Sequence, residues 1–81
     1  MNLRREVTKI IQGIAVTEKL PEILDDNVDL SKDYMFDSLM IVEMIVKIEE
    51  VLSIEFDFED LDAEKIYKFG ELIHIIEKQF G

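Results

Sequence analysis

The chain has 81 residues, room for one small domain near the lower limit of what a single hydrophobic core can hold together. Hydrophobic residues make up 48% of it, cysteine is absent, and nineteen acidic against nine basic side chains leave a formal net charge of −10. This composition excludes a disordered chain, a disulfide scaffold, a thiolate metal site and a cysteine nucleophile, and so acidic a surface repels nucleic acid and anionic membrane.

Residues 3 to 14 carry Leu3, Val7, Ile10, Ile11 and Ile14 at helical spacing, with Arg4, Arg5, Glu6 and Lys9 on other faces, and are expected to form the first helix. From 17 to 37 no period is sustained, and Pro21 and the run Asp25-Asp26-Asn27 signal turns. A connection this long in so small a chain points to a functional or self-packed loop, anchored by Leu20, Ile23, Leu24, Val28, Leu30 and Tyr34. The second helix is expected over residues 38 to 52, because Asp37 and Ser38 are both good N-cap residues ahead of an apolar run. Residues 53 to 62 are acidic, with Phe56 and Phe58 as anchors, and a short helical turn follows around 63 to 67. The last helix, residues 69 to 79, places Phe69, Leu72, Ile73, Ile76 and Phe80 on one buried stripe. The N-terminus lacks an apolar signal core, and no apolar run approaches membrane-spanning length. The expectation is an all-α bundle with one long loop, a single domain over residues 1–81, in the cytoplasm.

On the second helix, Ile41, Met44, Ile45, Ile48 and Leu52 form one broad face that should meet the core. Leu39, Val42 and Val46 fall instead among Glu43, Lys47, Glu49 and Glu50. An apolar group rimmed by carboxylates near a helix N-terminus has the character of a docking surface for a basic partner. The plainer alternative is that the long loop folds over these three side chains. From residue 18 to 64, sixteen acids face three bases (Lys19, Lys32, Lys47), a local net of −13 that steers basic partners toward the surface, with plain solubility as the alternative reading of the same charge.

Two other chemistries fail on their residue types. Asp25, Asn27 and Asp29 have the alternation of an EF-hand loop, but Leu30 stands where its glycine is needed and Phe36 where the bidentate glutamate belongs. A hydrolytic Ser38 would need a base and an oxyanion site; His74, the single histidine, lies opposite the last helix's core stripe, and the serine is not in a Gly-x-Ser-x-Gly setting. The chain should therefore catalyse nothing alone and hold no metal.

The run Phe36-Asp37-Ser38-Leu39, at the head of an acidic helix and after a long loop, resembles the Asp-Ser-Leu attachment motif of acyl and peptidyl carrier proteins. The likeness continues through residues 25 to 35, Val42-Glu43, Ile48-Glu49-Glu50, Ile54-Glu55-Phe56, Glu64-Lys65-Ile66 and a closing amphipathic helix, in order and over nearly the whole chain. The resemblance implies a four-helix bundle with a long first loop and a short third helix, and a 4′-phosphopantetheine esterified to Ser38 between Asp37 and Leu39. Its phosphodiester would face free N–H groups at the positive end of a helix dipole, and its thiol would be the chain's only one. The resemblance also implies partner contacts at Leu39, Met40, Val42, Glu43, Val46, Glu49 and Glu50, at Ile54 and Glu55 in the next loop, and at Ile66. The partners implied are a phosphopantetheinyl transferase, an acyl- or aminoacyl-loading enzyme, and synthase, transferase or thioesterase enzymes, met by a monomer. An unmodified acidic adaptor, binding a basic partner through the second helix, is the alternative function.

Four positions depart from the family pattern. Met35 and Phe36 stand where many carriers have glycine, Met40 follows Ser-Leu where fatty-acid carriers have aspartate, and Lys68 replaces a small hydroxylated residue ahead of the last helix. They point away from a housekeeping fatty-acid carrier and toward a carrier of a specialised polyketide, nonribosomal-peptide or related pathway; the expectation from Met1 and an end just past the last helix is a discrete carrier.

Overall fold

The computed structural model describes residues 2–15 and 19–80 of the chain; the expected start of the long loop at residue 17 lies outside them, as does the side chain of Phe58. Helix α1 runs Leu3–Ile14, α2 Leu30–Tyr34, α3 Ser38–Leu52, α4 Ala63–Ile66 and α5 Phe69–Phe80, with a 3-10 turn at Phe58–Asp60. Among the described residues the only β pairing is an isolated antiparallel bridge between Asp29 and Lys68. The expected all-α bundle is thus present. The helix expected second is α3, because α2 forms inside the long loop.

Each helix starts on a side-chain oxygen that takes an otherwise orphaned N–H, or on a substitute for one. Asn2 accepts from the Arg5 amide for α1, Asp37 from Met40 for α3 and Asp62 from Glu64 for α4. Asp29 accepts from both Ser31 and Lys32, while Asp33 reaches back to the Asp29 amide at 2.8 Å. That reciprocal pair accounts for a five-residue helix with too few turns to show a hydrophobic period. Helix α5 instead borrows from the loop: the Phe69 amide donates to the Val28 carbonyl and the Gly70 amide to the Asp26 carbonyl, both at 3.0 Å. Lys68, at the site of the missing hydroxylated residue, needs no capping side chain because backbone carbonyls do that work.

Val7 and Ile11 of α1, Met44 and Ile48 of α3, and Phe69, Leu72, Ile73 and Ile76 of α5 are fully buried in one cluster, each contributing about 1.5–3 kcal/mol by burial. Leu20, Leu24, Leu30 and Phe36 pin the loop into that core. Ile23, expected as a further anchor, is exposed, and Phe80 is exposed in the last turn of α5, where nothing among the described residues covers it. Ile75 is buried in addition to the expected stripe. Thr8 is the buried polar exception: its hydroxyl donates to the Arg4 carbonyl (2.7 Å) and accepts the Leu24 amide (3.1 Å), joining loop to α1. No helix of the described residues is long and apolar enough to cross a membrane.

Candidate functional site

The site is built where the loop turns into α3. Met35 closes α2 in the left-handed conformation, φ 59°, ψ 31°, and the amides of Met35 and Phe36 both donate to the Leu30 carbonyl. This turn drives Phe36 into the core, where it is buried, so Asp37 and Ser38 emerge on the surface.

Asp37 is the N-cap, with its carboxylate 2.9 Å from the Met40 amide. Ser38 is the first helical residue and is exposed. Its hydroxyl and the amides of Ser38 and Leu39 find no partner among the described residues. Of the two capping candidates in the sequence, aspartate has taken the structural task and left the serine oxygen free.

Beside Ser38 opens an apolar cleft of about 330 Å³ between α3 and α4, lined by Ile41, Val42, Ile45, Leu61, Ala63, Ile66 and Tyr67. A polar cleft of about 870 Å³ is lined by Asp26, Asp29, Lys68, His74 and their neighbours, and does not include Ser38. His74 is exposed there, as expected of a surface residue.

Leu39, Val42 and Val46 are 67%, 57% and 48% exposed, so the loop does not fold over them. Glu43 and Glu50 of the same helix are exposed, as is Glu55 in the loop after it. Val46 and Val51 also line a shallow groove of about 570 Å³ against α1, with Glu6, Lys9 and Gly13 across from them. The other residues expected to meet partners sit differently. Met40 and Ile54 are half-buried and lean on the core. Ile66 is only 4% exposed and meets the surface as a wall of the cleft beside Ser38. Glu49 is half-buried, and its carboxylate accepts the Phe56 amide at 3.0 Å. The EF-hand-like residues are spent on the backbone: Asp25 accepts the Asn27 amide at 2.8 Å in an Asx turn, and Asp29 caps α2.

An exposed hydroxyl without an internal bond, on an element held rigid by its neighbour's cap, with an apolar cleft alongside, suits covalent attachment of a long flexible group. The model of the family described as "Phosphopantetheine attachment site" matches residues 6–73. The chain belongs to that family. Its members are non-catalytic carriers that hold 4′-phosphopantetheine covalently. The chain is also similar to a protein named acyl carrier protein from Desulforapulum autotrophicum, at 35% identity over an 83-residue alignment covering 98% of this chain and 99% of that one. No solved structure matches it.

Reading the sequence missed two features of this carrier's site. The cleft walls Leu61, Ala63 and Tyr67 lie more than twenty residues from Ser38 and are brought beside it only by the tertiary fold, in which α4 is seated on α5. The left-handed backbone at Met35 was signalled only indirectly, by a methionine standing where many carriers have glycine.

Proposed function

We propose that the chain is a single carrier domain over residues 1–81 that holds acyl, aminoacyl or peptidyl intermediates as thioesters on a 4′-phosphopantetheine arm esterified to Ser38. The observation that carries this is the division of labour at the start of α3: Asp37 caps the helix, and Ser38 Oγ is left exposed and unbonded. The arm supplies a thiol, which a chain without cysteine lacks. The protein's own part is to display the hydroxyl, to place the phosphodiester near the free amides of Ser38 and Leu39, and to offer an apolar wall through Ile41, Val42, Ile45 and Ile66.

Leu39, Val42 and Val46, with Glu43 and Glu50, form the surface on which a phosphopantetheinyl transferase, a loading enzyme, and synthase or thioesterase partners dock. Met40, Glu49, Ile54, Glu55 and Ile66 frame it. The name of the matched relative favours an acyl cargo. Met35, Met40 and Lys68 favour a specialised biosynthetic pathway over fatty-acid synthesis, and the cysteine-free, acidic composition suits a cytoplasmic monomer.

The test is incubation with coenzyme A and a broad-specificity phosphopantetheinyl transferase. Intact mass should rise by one arm, and one titratable thiol should appear, in wild type but not in Ser38→Ala. A wild-type protein that keeps its mass would return the chain to the unmodified adaptor.

A further inference from the structure

Two described residues other than glycine adopt a positive φ, Met35 at 59° and Ser53 at 54°. Both end helices, where the left-handed conformation lets the chain leave the axis. L-residues enter this region against a steric penalty, and glycine does so almost freely. Serine at 53 is small and polar. Methionine at 35 is long and apolar, and at 73% exposure it is the most exposed of the large hydrophobic side chains described.

Neither local folding nor the core explains that side chain. The turn needs only a backbone that tolerates φ 59°, and the side chain is not part of the packed cluster. A residue held in a disfavoured conformation while displaying apolar surface to water is a mark of function when it stands at a site. Met35 is three residues from Ser38, so its Cα lies within about 11 Å of the serine's Cα at full extension. Leu39, 67% exposed, stands on the other side of the serine in sequence. Asp33, Asp37 and Glu43, all within five residues of one of these positions in sequence, are exposed, as is Lys32.

We propose that Met35 is a specificity-determining docking residue: with Leu39 it brackets Ser38 and fills an apolar pocket, rimmed by basic side chains, on the phosphopantetheinyl transferase. The inference rests on Ser38 as the attachment point, since the enzyme that esterifies this hydroxyl must cover the surface around it. Methionine suits the task because its unbranched, polarisable side chain adapts to an irregular pocket. The acidic rim selects a basic partner and speeds encounter, while the apolar bracket holds the complex.

Steady-state arm transfer from coenzyme A, followed by intact mass on the full chain, tests this. Met35→Gly and Met35→Ala should each raise the KM for the carrier about tenfold with kcat unchanged, since contacts made equally in the bound and transition states act on KM. Met35→Leu should restore wild-type KM to within about twofold. Met35→Gly satisfies the backbone better than methionine does, so its helix content and melting temperature should not fall. Ser53→Gly, which relieves the same conformation away from the site, should leave KM unchanged. A wild-type KM in both Met35→Gly and Met35→Ala overturns the inference and leaves Ser38 as the attachment point. A wild-type protein that accepts no arm removes the Ser38 reading beneath it.

Discussion

The Gly70 amide donates to the Asp26 carbonyl at 3.0 Å, and a Cβ added at Gly70 would lie 3.0 Å from both that oxygen and the Asp26 Cβ. Loop and helix therefore meet backbone to backbone, in space that only glycine leaves open. The carboxylate of the same Asp26 grips Arg4 of α1 through two bonds, Oδ1 to Nε at 2.9 Å and Oδ2 to Nη2 at 3.0 Å. One loop residue thus joins the first and last helices.

Gly70→Ala should destabilise the fold by about 1–3 kcal/mol through overpacking, outweighing the ~1 kcal/mol by which alanine normally favours a helix interior. Each 1 kcal/mol should lower the melting temperature by about 4–8 °C in a chain this size. Thermal unfolding followed by circular dichroism checks it, and a higher melting temperature would refute the close approach.

The Asp26 carboxyl is held below its usual range by its hydrogen bonds from the Arg4 guanidinium; desolvation opposes this, and the mutual attraction of the pair adds a smaller downward pull. A lowered folded pKa means that the contribution is complete above the ordinary aspartate value of about 3.9 and fades as pH falls through the lower folded value. Arg4 is shifted upward, so it stays charged throughout that window. Asp26→Asn should therefore lower the melting temperature near neutral pH, and the gap to wild type should narrow as the pH falls below the ordinary aspartate value of about 3.9. A gap independent of pH would rule out the ion pair as its source.

Asp37→Ala should cost about 1 kcal/mol through loss of the cap on α3, whereas Ser38→Ala should stay within about 0.5 kcal/mol of wild type. Urea unfolding of the two variants compares them directly. If Ser38→Ala proved the more damaging, the serine would be the structural cap and no longer a free hydroxyl.

The exposed carboxylates of Glu43 and Glu50 can be reversed without touching the backbone, whereas Glu49 holds the Phe56 amide and would confound folding with docking. Glu43→Lys with Glu50→Lys should slow association with a basic partner about tenfold at low salt and flatten its salt dependence. Stopped-flow association across a salt series measures this; an unchanged slope would mean that steering comes from elsewhere. Val46→Asp in the same assay should speed dissociation while leaving helix content nearly unchanged, and an unaltered dissociation rate would take Val46 off the interface.

Local chemistry made much of the fold and site readable in advance. The three long helices follow from apolar periods that hold over three or more turns, and Asp37, Ser38 and Leu39 occur in a short contiguous motif whose order alone carries the likeness. Helix α2 escaped because five residues show no period, and its existence depends on the exchange between Asp29 and Asp33. Only the tertiary structure chose between Asp37 and Ser38 as the cap, exposed Leu39, Val42 and Val46, drew Leu61 and Ile66 to the serine, and replaced a capping side chain ahead of α5 with the carbonyls of Asp26 and Val28. Periodicity and motif are properties of neighbours along the chain. Which oxygen is left without a partner depends on segments dozens of residues apart arriving at the same place, and that is settled by packing.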